Sequence, residues 1–120
     1  MRRYLLVDDN RAFAENLAEI IEDAGAEVEI ATSGEAALVL IGGTRFDALV
    51  SDMRMPTMGG AELLHRARLV DPHLPAIVVT AFTQDDDLAA AEREGLLAVL
   101  GKPVPIPNLL ALLDSAVRAA

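Results

Sequence analysis

Phe46 to Gly60 reads FDALVSDMRMPTMGG. Ala48, Leu49, Val50 and Ser51 are four consecutive apolar or small residues, which predicts a short buried strand, and they end on the carboxylate of Asp52. From Met53 to Gly60, the residues Pro56, Gly59 and Gly60 oppose both a continued strand and an early helix, so Asp52 stands at the mouth of a loop. An acid in that place is a nucleophile or metal ligand at the carboxyl end of a core strand, or it is a solvated loop aspartate. This stretch alone weighs the two equally. The rest of the chain separates them.

Outward from this stretch, strands and helices alternate. Tyr4 to Val7 is a compact apolar run ending on Asp8 and Asp9; Asn10 then suits a helix cap, with Phe13, Leu17, Ile20 and Ile21 on one face and Gly25 closing the helix. Val28 to Ala31 is a second strand, and Ser33 caps a helix carrying Ala36, Ala37, Leu40 and Ile41 that Gly42 and Gly43 stop. Beyond the Asp52 strand, a helix starts at Gly60 or Ala61, carries Leu63, Leu64, Ala67 and Val70, and ends at Asp71 and Pro72. Ala76 to Thr80 is the fourth strand. Asp85 to Asp87 suit the positive end of a helix that runs through Glu94 to Gly95. Leu97 to Leu100 is the fifth strand, and after Lys102, Pro103, Pro105 and Pro107 a last helix from Asn108 packs Leu109, Leu112, Leu113 and Val117.

Five continuously apolar strands alternating with five helices predict a doubly wound α/β domain, a five-stranded parallel sheet covered on both faces. At 120 residues, one domain accounts for the whole of 1–120. Working groups in such sheets collect at the carboxyl ends of the strands, and there the sequence puts Asp8, Asp9, Asp52, Thr80 and Lys102. With the common strand order 2-1-3-4-5, the first and third strands are neighbours, which brings Asp8 and Asp9 beside Asp52.

Nineteen acidic residues against ten basic ones, a net charge of -9, argue against gripping nucleic acid or an anionic membrane, since both need a positive field. Without cysteine there are no disulfides or thiolate metal sites, and His65 and His73 make a poor zinc site. The amino end has too short an apolar run for a signal peptide, and no stretch reaches membrane-spanning length, so the expectation is a soluble cytoplasmic protein. Clustered carboxylates cannot all stay ionised without compensating cations, and a hard divalent ion with oxygen ligands is the natural compensator. Mg²⁺ fits best, because it leaves coordination positions for phosphate oxygens. Lys102 is the only lysine, the other basic residues being Arg, which marks a place for a compact point charge. Thr80 could donate its hydroxyl to a phosphoryl oxygen, leaving Asp52 to attack phosphorus and carry it as an acyl phosphate.

With VDD at Val7 to Asp9, SDMRMPTMGG at Ser51 to Gly60, VVTAF at Val78 to Phe82 and GKP at Gly101 to Pro103, the chain resembles from end to end the receiver domain of a two-component response regulator. The resemblance implies a chemotaxis-regulator-like, flavodoxin-like fold and makes Asp52 the phosphorylated residue. It makes Asp9 a direct Mg²⁺ ligand and Asp8 an aid through water, with Asp52 and the backbone carbonyl of Arg54 completing the protein's share. Thr80 would be the switch hydroxyl, Lys102 the ion-pair partner of the phosphate, and the Lys102 to Pro103 bond cis. A histidine kinase or phosphotransfer protein would donate the phosphoryl group. The protein would be a signalling phosphoacceptor rather than an enzyme, with self-phosphotransfer and autodephosphorylation at Asp52, and the surface of the fourth helix, fifth strand and fifth helix would shift to regulate an output protein or domain.

One departure stands out. The family usually carries a switch Tyr or Phe three residues before the lysine, and here that position is Val99, which has no ring to rotate. Phe82 is expected to shield the acyl phosphate, to reshape the loop into the fourth helix or simply to anchor that loop, and Arg54 to point its side chain over the site's mouth. His65, His73, Arg66 and Arg68 are expected to face solvent, and Met53, Met55 and Met58 to pack under the loop. Two alternatives are a pseudo-receiver that binds partners without phosphate and a small Mg²⁺-dependent hydrolase of the haloacid-dehalogenase kind. Chain order opposes the second. Those enzymes put the nucleophile on the first strand with another Asp two residues later, whereas Asp8 is followed at that spacing by Asn10. The chain is either a single-domain regulator or a piece of a longer protein; the turn from Lys102 to Pro107 and the absence of a linker after Ala120 would suit the carboxyl-terminal receiver of a hybrid kinase. Homodimerisation is open.

Overall fold

Five strands, β1 (Arg3–Val7), β2 (Glu27–Ala31), β3 (Ala48–Ser51), β4 (Ala76–Thr80) and β5 (Ala98–Gly101), form one sheet in the order β2-β1-β3-β4-β5. Every neighbouring pair is parallel. The helices α1 (Arg11–Asp23), α2 (Gly34–Gly43), α3 (Gly60–Val70), α4 (Asp87–Arg93) and α5 (Ile106–Ser115) alternate with them. This is the doubly wound arrangement and the strand order expected from the sequence. The computed structural model describes residues 1–81 and 87–116, so the readings placed on Phe82, Asp85, Asp86 and Val117 lie outside the described residues.

Alternate residues of each strand feed two cores. Leu5, Val7, Leu49 and Val78 face one side, where they meet Ala37 and Ile41 of α2, Leu63, Leu64 and Ala67 of α3, and Leu88 of α4. Tyr4, Leu6, Val50, Ile77 and Val79 face the other, against Leu17 and Ile21 of α1 and Leu109 and Leu113 of α5. The central strands β1, β3 and β4 are buried on both faces and have no polar side to write into the sequence, which is why they read as apolar runs, whereas the edge strand β2 carries Glu27 and Glu29. Each fully buried Leu, Ile or Val adds about 1.5–3 kcal/mol of burial free energy, which makes these layers the rigid platform for the strand ends.

The caps follow the sequence. The Asn10 side chain accepts from the Phe13 N–H at 3.1 Å, and Ser33 Oγ accepts from the Ala36 N–H at 3.1 Å. Gly25, at φ 104, turns the chain after α1, and Gly95, at φ 88, does so after α4.

Several expectations are corrected. Ile20 is 38% exposed, because the buried stripe of α1 is Ala14, Leu17, Ala18 and Ile21, and the two alanines let the helix lie close to the sheet with Ile20 at its rim. Val70 is exposed at the end of α3. Gly42 and Gly43 stay within α2, whose last turn is closed by the Thr44 N–H on the Leu40 carbonyl at 2.9 Å. Two terminal glycines cost about 1 kcal/mol each relative to alanine, too little to end a helix that the core holds. β5 lies one residue further on than expected, and α5 starts at Ile106, with Pro107 in its first turn where a missing N–H is harmless.

Arg68 does not simply face solvent, whereas His65 is exposed as expected and also meets Glu94. Arg68 is partly buried and donates to the carbonyls of Leu74 at 2.9 Å, Gly95 at 2.8 Å and Glu94, while His65 Nδ1 lies 2.8 Å from Glu94 Oε1. Both contacts join the carboxyl end of α4 to α3, and the Arg68 guanidinium there meets the negative end of the helix. Arg66 pairs with Glu62 on the same helix and His73 is exposed.

Candidate functional site

Register decides what stands together. Val7 of β1 pairs with Ser51 of β3, and Thr80 of β4 pairs with Gly101 of β5, so Asp8, Asp52 and Lys102 leave the sheet at one end. The ladder extends one residue past the strands. The Asp8 N–H donates to the Ala31 carbonyl at 3.1 Å, the Asp52 N–H to Val7 at 2.9 Å and the Lys102 N–H to Thr80 at 3.0 Å. The backbone beneath each of these side chains is thereby fixed by the core itself.

Charge is concentrated here. Asp8 is 2% exposed; its Oδ1 accepts from the Asn10 N–H at 2.9 Å and its Oδ2 lies 3.0 Å from Lys102 Nζ. Asp52 is half-buried, with Oδ1 accepting from the Met53 N–H at 2.8 Å and Oδ2 3.7 Å from Lys102 Nζ. Asp9 is exposed. One carboxylate oxygen from each of Asp8, Asp9 and Asp52 lies within 4.8 Å of the others. Opposite ligands of a six-coordinate Mg²⁺ are about 4.1 Å apart, so an all-oxygen set of this spread suits one hard cation with small side-chain adjustments.

Burial pushes the Asp52 carboxyl above the usual range; Lys102 pulls it down, Asp8 pushes it up, and the N–H groups of Met53 and Arg54 pull it down. A carboxyl with a raised folded-state pKa binds its proton more tightly when folded than when unfolded. Its ionisation therefore removes stability as pH rises from the ordinary carboxylate range through the raised value, and the loss is complete above it. In Mg²⁺-free buffer, Asp52→Asn should melt at a higher temperature than the native chain at about pH 7, with the gap closing toward about pH 3. Equal melting temperatures at neutral pH would contradict the crowding.

The other predicted residues also reach this end of the sheet. Thr80 closes β4 and is fully buried, Arg54 is exposed two residues past Asp52, and the Lys102–Pro103 peptide is cis as expected. One contact was not foreseen: Lys102 Nζ sits 4.3 Å from the centroid of the Phe13 ring. Helical periodicity had assigned Phe13 to the core face, and it does pack there in part. The available signal was its place at the third residue after the Asn10 cap, in the first turn of the helix that follows Asp9.

Residues 4–114 match the response regulator receiver domain family. The chain belongs to that family. A response regulator receiver protein of Anaeromyxobacter sp. is 64% identical over 112 residues, which are 93% of this chain and 47% of that protein. Response regulator protein FleR of Pseudomonas aeruginosa is 37% identical over 118 residues, 98% of this chain and 24% of its own length. The chain thus spans about half the length of the first relative and a quarter of the second. Among solved structures, a CheY-like receiver domain protein from Methanospirillum hungatei superposes with a TM-score of 0.90 at 32% identity, covering 95% of this chain and 91% of the other. A response regulator from Burkholderia pseudomallei, solved with a phosphorylated aspartic acid, calcium ion and citrate, has a TM-score of 0.86 at 27% identity, covering 96% of this chain and 68% of the other.

In this receiver domain the loop after Asp52 is built tightly. Met53 and Met58 are buried and Met55 partly so, beneath the loop as expected. The Asp52 carbonyl accepts from Ser51 Oγ at 2.8 Å, and the Gly60 N–H donates to the Met53 carbonyl at 2.9 Å. A Cβ on Gly60 would stand 2.6 Å from the Asp52 carbonyl oxygen, a backbone atom that cannot step aside. A Cβ on Gly34 would meet Met58 Sδ at 2.6 Å, Cγ at 2.9 Å and Cβ at 3.0 Å, all side-chain atoms, of which the outer two can move by a change of rotamer. Gly60→Ala should therefore cost about 1–3 kcal/mol in urea unfolding and displace Asp52 with it, while Gly34→Ala should cost less. The reverse ranking would contradict the tight approach. Val99, the unusual residue of β5, stands opposite Val78 and is partly buried.

Proposed function

We propose that this receiver accepts a phosphoryl group on Asp52 from a histidine kinase or phosphotransfer protein. The observation that carries the reading is the meeting of Asp8, Asp9, Asp52 and Lys102 at the strand ends, three acids within 4.8 Å and one ammonium against two of them. A carboxylate oxygen of Asp52 attacks phosphorus; the new O–P bond forms as the P–N bond of the donor phosphohistidine breaks, and the leaving imidazole nitrogen keeps the electron pair and takes up a proton. Lys102 turns from Asp8 toward the incoming phosphoryl oxygens, and the buried Thr80 at the end of β4 supplies a hydroxyl on the other side. Asp8, Asp9, Asp52 and the Arg54 carbonyl are the groups that would hold Mg²⁺. When bound, the ion would offset the carboxylates and neutralise charge on the transferring group.

Two features support the reading. The donor set is all oxygen, and the Burkholderia neighbour carries a phosphorylated aspartic acid with a calcium ion. Phosphorylation would bias the surface of α4, β5 and α5, with Val99 in place of a rotating aromatic, toward an output protein or domain. Such partners imply a cytoplasmic setting; no helix among the described residues is long and apolar enough to cross a membrane.

After incubation with acetyl phosphate and Mg²⁺, the incorporated phosphate should map to the peptide containing Asp52 and be released by hydroxylamine, as an acyl phosphate is. Phosphate on another peptide, or resistant to hydroxylamine, would overturn the assignment.

A further inference from the structure

The Lys102 ammonium is held from three sides: Asp8 at 3.0 Å, Asp52 at 3.7 Å and the face of Phe13 at 4.3 Å from the ring centroid. The first and last of these belong to a closed circuit. Asp8 Oδ1 accepts from the Asn10 N–H at 2.9 Å, the Asn10 side chain accepts from the Phe13 N–H at 3.1 Å, the Phe13 ring faces Lys102 Nζ, and Lys102 Nζ returns to Asp8 Oδ2. The two oxygens of one buried carboxylate thus fix both the lysine and the start of the helix that presents the ring.

We propose that Phe13 is a positioning residue for Lys102, holding its ammonium at the mouth of the site so that it can pass from Asp8 to a phosphoryl oxygen on Asp52. This rests on the phosphoacceptor reading. A lysine stem is rich in rotamers, so the confinement of the Lys102 ammonium must come from its surroundings. A third acid in the ring's place would bind the ammonium and compete with the phosphoryl group. The ring face attracts a cation over a broad area without a directional bond, so the ammonium can slide across it while changing partners. Phe13 is only partly buried, at the edge of the core beneath α1 and α5, which leaves the ring face available to the lysine.

Because there is one lysine, labelling lysine with ¹³C at Cε gives a single signal from Lys102. In the unphosphorylated native chain its Hε protons should be displaced upfield by the ring. Phe13→Leu, which keeps apolar bulk and loses the ring, should abolish that displacement and slow Mg²⁺-dependent phosphoryl gain from acetyl phosphate about two- to fivefold. Phe13→Trp should retain both. The proposal is overturned by a native signal with no upfield displacement, by Phe13→Leu reacting at the native rate, or by Phe13→Trp reacting as slowly as Phe13→Leu. If the native chain gains no phosphoryl group, the phosphoacceptor reading fails, and the ring contact then stands or falls on the Lys102 signal alone.

Discussion

Replacing Lys102 with methionine should destabilise the protein by about 2–3 kcal/mol in Mg²⁺-free buffer and slow phosphoryl gain from acetyl phosphate about 100-fold, yet raise its affinity for Mg²⁺. The stability loss follows from Asp8, whose side chain is 3% exposed and whose Oδ2 loses its partner at 3.0 Å while Asp52 remains nearby. Removing one member of a buried pair leaves an uncompensated charge, which costs more than the pair contributes; the partial exposure of Lys102 puts the figure below the roughly 3–5 kcal/mol of a fully buried pair. The gain in metal affinity follows from the same geometry, because the ammonium and a cation are rivals for one set of carboxylates. Urea unfolding and Mg²⁺ titration calorimetry on native and Lys102→Met protein measure both effects. Unchanged stability together with unchanged Mg²⁺ affinity would mean that Lys102 is not engaged with these acids in solution.

Asp9→Asn should separate stability from metal binding. Asp9 is exposed, so the substitution should change stability by no more than about 0.5 kcal/mol. As a proposed direct ligand it should still lower Mg²⁺ affinity about 100-fold, since the amide keeps the shape and removes the charge. Linkage gives the readout. At ten times its Kd, Mg²⁺ adds about 1.4 kcal/mol to the native chain, and at the same concentration a 100-fold weaker site adds less than about 0.1 kcal/mol. A full Mg²⁺ stabilisation in Asp9→Asn would remove Asp9 from the ligand set.

The sheet and its working end were legible in the sequence because the central parallel strands β1, β3 and β4, covered on both faces, read as apolar runs closed by Asp8, Asp52 and Thr80. Once β1 and β3 are neighbours, the Val7 to Ser51 register carries Asp8 to Asp52 with no further information. What could not be read has a common cause. The destination of a long polar side chain depends on how helices pack, so the sequence places Arg68 on the solvent side while the contact of α3 with α4 draws it onto the carbonyls of Leu74 and Gly95. Periodicity puts Ile20 and Phe13 on the buried face of α1, yet Ile20 is exposed and Phe13 only partly buried, because periodicity gives only an angle around a helix. It does not say how close the helix lies to the sheet, nor that a ring at the core's edge faces the ammonium of Lys102, just past the end of β5. Gly42 and Gly43 show the same limit for local propensity, which α2 overrides by packing Ala37 and Ile41 into the core.

Whether Asp52 is the phosphoacceptor is decided by intact mass after incubation with acetyl phosphate, with and without Mg²⁺, on the native chain and on Asp52→Ala. The expected result is a Mg²⁺-dependent gain of one phosphoryl group in the native chain and none in the variant. The same gain in Asp52→Ala, or no gain in the native chain with phosphate turnover absent as well, would contradict it.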